Sequence, residues 1–140
     1  MPQTVQVGAH ETWFEPDAGL IGVRFRGVLS GAEFAEISAI TTRWRTEAGI
    51  APPVLALIDN RKSEGLTSDG RRAIANRSEG VGECYCAVFG AGFALRVVLN
   101  LVFRAAELAS TKFVLRYAAD EADARRWLAE RKRTHVSRKR

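Results

Sequence analysis

The stretch VLALIDNRKSEGLTSDGRRA (residues 54–73) passes from an apolar run through polar residues into a pattern typical of a helix. Its first part, VLALID (residues 54–59), is short and apolar up to Asp59, which is typical of a strand buried in a parallel sheet. Parallel neighbours require crossover connections, so the run predicts helices before and after it. We interpret the polar residues that follow as a loop, and we predict a helix from about Ser68 to Ser78.

Upstream of this stretch, the sequence predicts an antiparallel pair of strands and then a helix. The strands are predicted at residues 11–15 and 20–28, and residues 16–19 (Pro-Asp-Ala-Gly) form the turn between them. Ser30 and Glu33 have the spacing of a capping box, in which each side chain bonds the other residue's backbone. Apolar residues then recur at helical spacing: Phe34, Ile37, Ile40 and Trp44.

Downstream, two more strands and two more helices are predicted. CYCAVFG (residues 84–90) reads as a strand, GFALRVVLNLVFRAAELAS (residues 92–110) as a long helix and KFVLRY (residues 112–117) as a further strand. Asp120 is expected to cap a last helix that ends near Leu128.

The long helix could suggest a membrane span, but its polar residues form one stripe. They recur at intervals of 4, 4 and 3: Arg96, Asn100, Arg104 and Glu107. This spacing predicts an amphipathic, mostly buried helix that is not transmembrane, with Leu101 on the buried side.

These elements alternate as β-β-α-β-α-β-α-β-α, which predicts an α/β fold with right-handed crossovers. We expect a singly wound β-α superhelix. Its mixed sheet would have about five strands in the order 1-2-3-4-5, an antiparallel N-terminal edge strand, and about four helices mainly on one face. The predicted organisation is a leader segment at residues 1–9, a single domain at residues 10–133 and a basic disordered tail at residues 134–140.

Composition supports one domain with its own core, since the chain has 140 residues of which 46% are hydrophobic. The net charge of +5 is carried by the C-terminus, because 6 of the 21 basic residues follow residue 130 and the remaining 15 face 16 acids. Such a run can bind nucleic acid or anionic lipid, but we interpret it as a solvated tail and predict no specific nucleic-acid partner. We find no signal peptide and expect a cytoplasmic protein.

No catalytic or metal-binding constellation is recognisable. Cys84 and Cys86 are expected to be reduced core thiols that point to opposite faces of their strand, and they lack metal-ligand spacing with His10 and His135. GAGFAL resembles a dinucleotide fingerprint only weakly, because Leu95 replaces its last small residue. We therefore predict a protein that is not an enzyme and has no cofactor.

Several segments together resemble the SpoIIAA-like (STAS) superfamily, in the branch grouped with Sec14-like lipid-binding domains. They are the hairpin, the capped helix, VLALID with its polar residues, CAVFGAG before a long helix, and DEADARRWL, so the resemblance covers roughly residues 10–130. In the anti-sigma-factor antagonists of that superfamily, a serine in Asp-Ser-x-Gly opens a helix and is phosphorylated. The matching residues here are Thr67-Ser68-Asp69-Gly70, in which Thr67 replaces the aspartate.

The resemblance implies a regulatory or protein-interaction module that recognises its partner through residues 63–72. We expect the segment from Ser63 to Gly70 to be exposed, with Ser68 as the candidate phospho-acceptor at the start of a helix, where the helix dipole favours an anion. Alternatively, Thr67 or Ser68 is simply the N-cap. Asp59 ends a buried strand and could face a ligand crevice or bond loop amides.

The alternative function implied by the Sec14-like branch is the binding of a lipid or another small apolar ligand. Self-association as a dimer is also compatible with the sequence.

Overall fold

The computed structural model describes residues 3–77, 83–109 and 113–139. The strands are β1 (Gln3–Val7), β2 (His10–Glu15), β3 (Leu20–Leu29), β4 (Val54–Leu66), β5 (Cys84–Phe89) and β6 (Phe113–Tyr117). The helices are α1 (Gly31–Glu47), α2 (Ser68–Arg77), α3 (Phe93–Ala109) and α4 (Glu121–Lys139). The predicted capping box at the start of α1 is present, with Ser30 and Glu33 bonding each other's backbone.

The strands form one sheet in the order β1-β2-β3-β4-β5-β6, which confirms the predicted arrangement in chain order. β1 to β3 are antiparallel and β3 to β6 are parallel. The predicted strand number was one too low, because residues 3–7 of the supposed leader pair with β2 and bury Val7. Gly8, with φ of 59°, makes the tight turn that allows this pairing.

Three of the four helices lie on one face of the sheet. α1 packs Ile37 on Val23 and Phe25, and α3 packs Leu99 and Phe103 on β5. The fourth helix, α4, covers the other face, where its side chains meet those of β2 to β5: Ala124, Trp127 and Leu128 against Trp13, Leu20, Leu55, Leu57, Tyr85 and Ala87. The prediction of helices mainly on one face is therefore confirmed, with α4 as the exception.

A bidentate ion pair connects helix α4 to strand β2 of the sheet. Arg125 donates from its two terminal nitrogens to the two carboxylate oxygens of Glu15, at 2.9 and 2.8 Å. The hydrogen bond from Arg125 is the largest influence on the pKa of Glu15, which lies below its ordinary value.

The helix continues to Lys139, so the predicted disordered tail was wrong for residues 134–139. Lysine and arginine are good helix formers, and a basic run can extend a helix that tertiary contacts have already started.

The predicted loop after VLALID was also wrong, because β4 continues to Leu66 and its pairing with β3 runs from Leu55 to Leu66. The pairing contains two register shifts, and at each of them β4 has one more residue than β3. The first lies between the pairs Arg24–Asp59 and Arg26–Lys62, and the second lies just before Gly65. These irregularities are β-bulges, which bend a strand and leave its extra residues unpaired.

Two predictions about side-chain orientation were wrong. Leu101 is exposed rather than buried, although Arg96, Asn100 and Arg104 are exposed as predicted; the side chain of Glu107 lies outside the described residues. Cys84 and Cys86 are free and buried as expected, but they face the same side of β5, because residues two apart on a strand share a face.

None of the helices in the described part of the chain is long and apolar enough to cross a membrane.

Candidate functional site

The predicted residues Thr67 to Gly70 lie between the starts of α1 and α2, at a contact that we call the Ser68 junction. Ser68 is the first residue of α2 and is exposed, which confirms its predicted position. Thr67 is the N-cap, since its hydroxyl oxygen accepts a hydrogen bond from the Gly70 N–H at 3.0 Å. Gly70 itself is buried and Ser63 is half-buried, so the segment is only partly exposed, contrary to expectation.

Asp69 is the anionic neighbour of Ser68 in the first turn of α2. Its carboxylate accepts a short hydrogen bond from the Thr67 hydroxyl, which is the main reason that the pKa of Asp69 is lowered. The nearby backbone N–H groups of Gly31, Asp69 and Gly70 also lower the pKa of this carboxylate. Amides at the starts of both helices therefore already have an anionic partner, and a phosphate beside it would meet a like charge.

Asp59 belongs to a different face of the sheet and joins two neighbouring strands. Its carboxylate accepts hydrogen bonds from Arg24 Nε at 3.0 Å, and from the Arg61 backbone N–H, Nε and a terminal nitrogen at 3.0, 3.0 and 2.8 Å. Burial alone would raise the pKa of Asp59, whose side chain is 1% exposed, but these bonds lower it to about 2. The guanidinium groups of Arg24 and Arg61 also lie over the rings of Trp13 and Phe89. Asp59 therefore holds β3 and β4 together and does not meet the Ser68 junction.

An apolar cavity of about 90 Å³ lies on the opposite face, between the sheet and α1, α2 and α3. Its lining comes mainly from branched and aromatic side chains of β3, β4 and β5, together with side chains of the three helices: Val23, Phe25, Ile58, Val88, Phe34, Ile74, Leu99 and Phe103. The sulfur-bearing residues Cys84 and Cys86 also line it, and Ser63 does so at one end.

Asn60 is a buried polar residue in this apolar lining. It follows Asp59 on β4, and because consecutive strand residues alternate between faces, Asp59 points to α4 and Asn60 to the cavity. Asn60 is 4% exposed, and no hydrogen bond of its side-chain amide to another described residue is seen, but its amide atoms are not among the fully buried atoms that lack a partner. An amide that has no partner within the protein can bind water or a polar group of a ligand.

Among residues 3–77, 83–109 and 113–139, no group of three or more His, Cys, Asp or Glu side chains is placed to hold a metal ion.

Comparison with known proteins identifies the fold. No family model matches the sequence, and no curated protein matches it. In structure, the chain is similar to an uncharacterized protein of the DUF3478 family from Shewanella loihica PV-4, which is described as having a SpoIIAA-like fold. The TM-score is 0.52 over 91% of this chain and 92% of that chain. The fold is SpoIIAA-like.

The sequence identity in that comparison is 16%, so the likeness is one of fold. It confirms the fold that the resemblance implied. The SpoIIAA-like fold supplies the crossovers that bring α1, α2 and α3 over one face of the sheet, where both Asn60 and the Ser68 junction lie.

Proposed function

We propose that the protein is a non-catalytic binding module that holds a small amphiphilic molecule in the cavity beneath α1, α2 and α3. The observation that supports this proposal is the position of Asn60, a polar residue that is 4% exposed, lines an apolar cavity and forms no side-chain hydrogen bond seen among the described residues. A ligand with one polar end would supply a hydrogen-bond partner for the amide, and its apolar part would contact the surrounding aliphatic and aromatic side chains.

The size of the cavity limits the ligand. An apolar cavity of roughly 150 Å³ in another protein holds benzene, and the present cavity of about 90 Å³ is smaller. The buried part of the ligand is therefore a short hydrocarbon group. Its polar end is a hydroxyl, amide or carboxyl group, since the asparagine amide both donates and accepts hydrogen bonds. The Ser63 hydroxyl lines the same cavity and accepts a hydrogen bond from the Gly65 N–H at 3.4 Å, so its own proton is available to a ligand.

We expect Asn60→Leu to stabilise the protein by about 1 kcal/mol and to abolish ligand binding. Leucine has a side chain of similar size and suits the apolar lining better than an amide without a protein partner does, so the substitution should be favourable. Thermal unfolding should be measured with and without straight-chain alcohols and carboxylic acids of increasing length. The parent should gain stability with one or more of these compounds, whereas Asn60→Leu should not respond.

The matched control is Asn76→Leu, which changes an exposed asparagine on α2. This variant should keep the response of the parent. The proposal fails if no compound stabilises the parent and native mass spectrometry of the purified protein shows no bound small molecule.

As a second candidate, we propose that the surface around Ser68 recognises a protein partner or a second copy of the chain. Ser68 is exposed and its hydroxyl makes no hydrogen bond with the described residues, and Arg71 and Arg72 are exposed one turn further along α2. These properties suit a contact surface. The anionic Asp69 nevertheless makes Ser68 a poor position for a phosphate.

We expect Ser68→Ala and Ser68→Glu to leave the free energy of unfolding within about 0.5 kcal/mol of the parent, because the side chain is exposed and unpartnered. Urea unfolding of both variants checks the stability. Capture of proteins from lysate and native mass of the parent then check the recognition role. If all three proteins capture the same partners and have the same mass, this surface is not a recognition site.

A further inference from the structure

The outer side of α3 carries a row of exposed apolar side chains, which we call the α3 ridge. It consists of Phe93, Val97, Leu101 and Leu108, which are 85%, 46%, 69% and 83% exposed. Intervals of 4, 4 and 7 residues place them on one face of a helix, and at 1.5 Å per residue the ridge is about 22 Å long. The exposed Arg104 lies between Leu101 and Leu108 on the same face, and exposed apolar side chains over this extent mark a surface that contacts something other than water.

The ridge does not belong to the protein's own core. The opposite side of α3 packs on the sheet through Leu99 and Phe103, and Val102 is also buried. Phe93 and Leu101 do not line the cavity either. The helix therefore has one apolar side that folds the domain and a second apolar side that faces outward.

The charges beside the ridge are mainly basic. Arg96 and Arg104 are exposed on the same helix, and the Arg96 guanidinium lies 4.4 Å from the ring centre of Tyr117. The sequence of α3 contains these two arginines and a single acidic residue, Glu107. On the neighbouring helix α2, the exposed Arg71 and Arg72 lie near its start, at the same end of the sheet as the start of α3, because both helices follow parallel strands.

This combination favours an anionic partner over a second copy of the chain. A symmetric dimer would place the same basic surface on both sides of the interface, whereas the surface of an anionic membrane offers both hydrocarbon and negative charge. Helices with Phe and Leu on one side and arginine beside them bind in the plane of a lipid interface. Each basic residue near such a surface adds to the attraction.

We propose that the α3 ridge docks the protein on membranes that contain anionic phospholipids, with α3 lying in the plane of the interface. This proposal is independent of the cavity ligand, because its residues and its measurements are different.

The test is co-sedimentation of the full chain with phosphatidylcholine vesicles that contain or lack phosphatidylserine. The parent should bind the vesicles with phosphatidylserine and should dissociate as salt is raised. The double variant Phe93→Ser/Leu101→Ser should bind at least about tenfold more weakly, since two large apolar side chains no longer enter the interface. Replacing Arg96 or Arg104 by glutamine should weaken binding about fivefold for each arginine.

The matched control is Val114→Ser, which removes an exposed apolar side chain from β6. This variant should bind vesicles like the parent, and the melting temperature of the ridge variant should match that of the parent because its changed residues are exposed. The proposal is overturned if the parent does not bind the phosphatidylserine vesicles, or if the ridge variant binds them as well as the parent does. It is also overturned if light scattering shows that the ridge instead holds together a dimer that the ridge variant dissociates.

Discussion

Replacing Asp59 by alanine should lower the free energy of unfolding by about 3 kcal/mol, because a nearly buried carboxylate that accepts hydrogen bonds from two arginines and a backbone N–H is lost. The carboxylate is almost fully buried and binds Arg24 on β3 and Arg61 on β4. Its loss would remove the ion pair of Arg61 and would leave Arg24 with Glu11, whose carboxylate lies 3.5 Å from an Arg24 terminal nitrogen. Urea unfolding of the variant and the parent measures the difference directly.

The control for this prediction is Glu64→Ala, which removes an exposed carboxylate from the same strand. Its effect should be within about 0.5 kcal/mol, as for most exposed positions. Equal effects of the two substitutions would show that the interactions of Asp59 with Arg24 and Arg61 do not stabilise the sheet.

The same interactions of Asp59 should make the free energy of unfolding depend on pH in the acid range. The pKa of Asp59 is about 2 in the folded protein, below its ordinary value of 3.8. A lowered pKa means that the folded state holds the charged form, so the contribution is complete above about pH 4 and is lost as the pH falls towards 2. The loss amounts to about 2 kcal/mol, and it should be missing from the pH profile of Asp59→Asn.

The sequence predicted the order of the elements because their signals are local. The capping box at Ser30, the turn between β2 and β3 and the apolar run of β4 each depend on residues close together in the chain. β1 was missed because its residues are mostly polar, and it is held as a strand by pairing with β2. The extension of β4 was missed for a related reason, since two bulges pair polar residues that have no strand pattern of their own.

The orientation of α3 could not be predicted from periodicity because the helix has apolar residues on two sides. A hydrophobic pattern shows which residues could be buried, but Leu101 and Leu99 differ only in what lies next to them in the fold. In the sequence, the exposed apolar residues of the ridge therefore could not be distinguished from core residues.

The candidate site was predicted least well, because it depends on partners that are distant in sequence. Asp59 was expected to face a crevice or bond nearby amides, and it does bind the Arg61 backbone, yet it also binds Arg24, 35 residues away. Asn60 was not singled out, since a sequence does not show whether an amide will find a partner. Its position near the end of the apolar run of β4, one residue after Asp59, was the available signal.

Substituting alanine for Gly70 should cost about 2 kcal/mol of stability, as expected for an extra atom forced into a packed position. A Cβ at this position would lie 2.7 Å from the Leu29 carbonyl oxygen, a backbone atom that cannot move without disturbing the end of β3. The same carbonyl accepts the Thr67 N–H at 3.0 Å, so the glycine lets the start of α2 pack against the strand. On this basis the glycine of Thr67-Ser68-Asp69-Gly70 is needed by the fold, whether or not Ser68 contacts a partner.

Gly92→Ala provides the control for this substitution, because Gly92 also lies beside a helix start but has nothing within 4 Å of an added Cβ. Urea unfolding of both variants should show the loss for Gly70→Ala and a change within about 0.5 kcal/mol for Gly92→Ala. If Gly70→Ala were instead as stable as the parent, the junction would have room for a side chain. Packing would then not explain the glycine. Recognition of a partner by the surface around Ser68 would gain support over a purely structural role for Thr67 to Gly70.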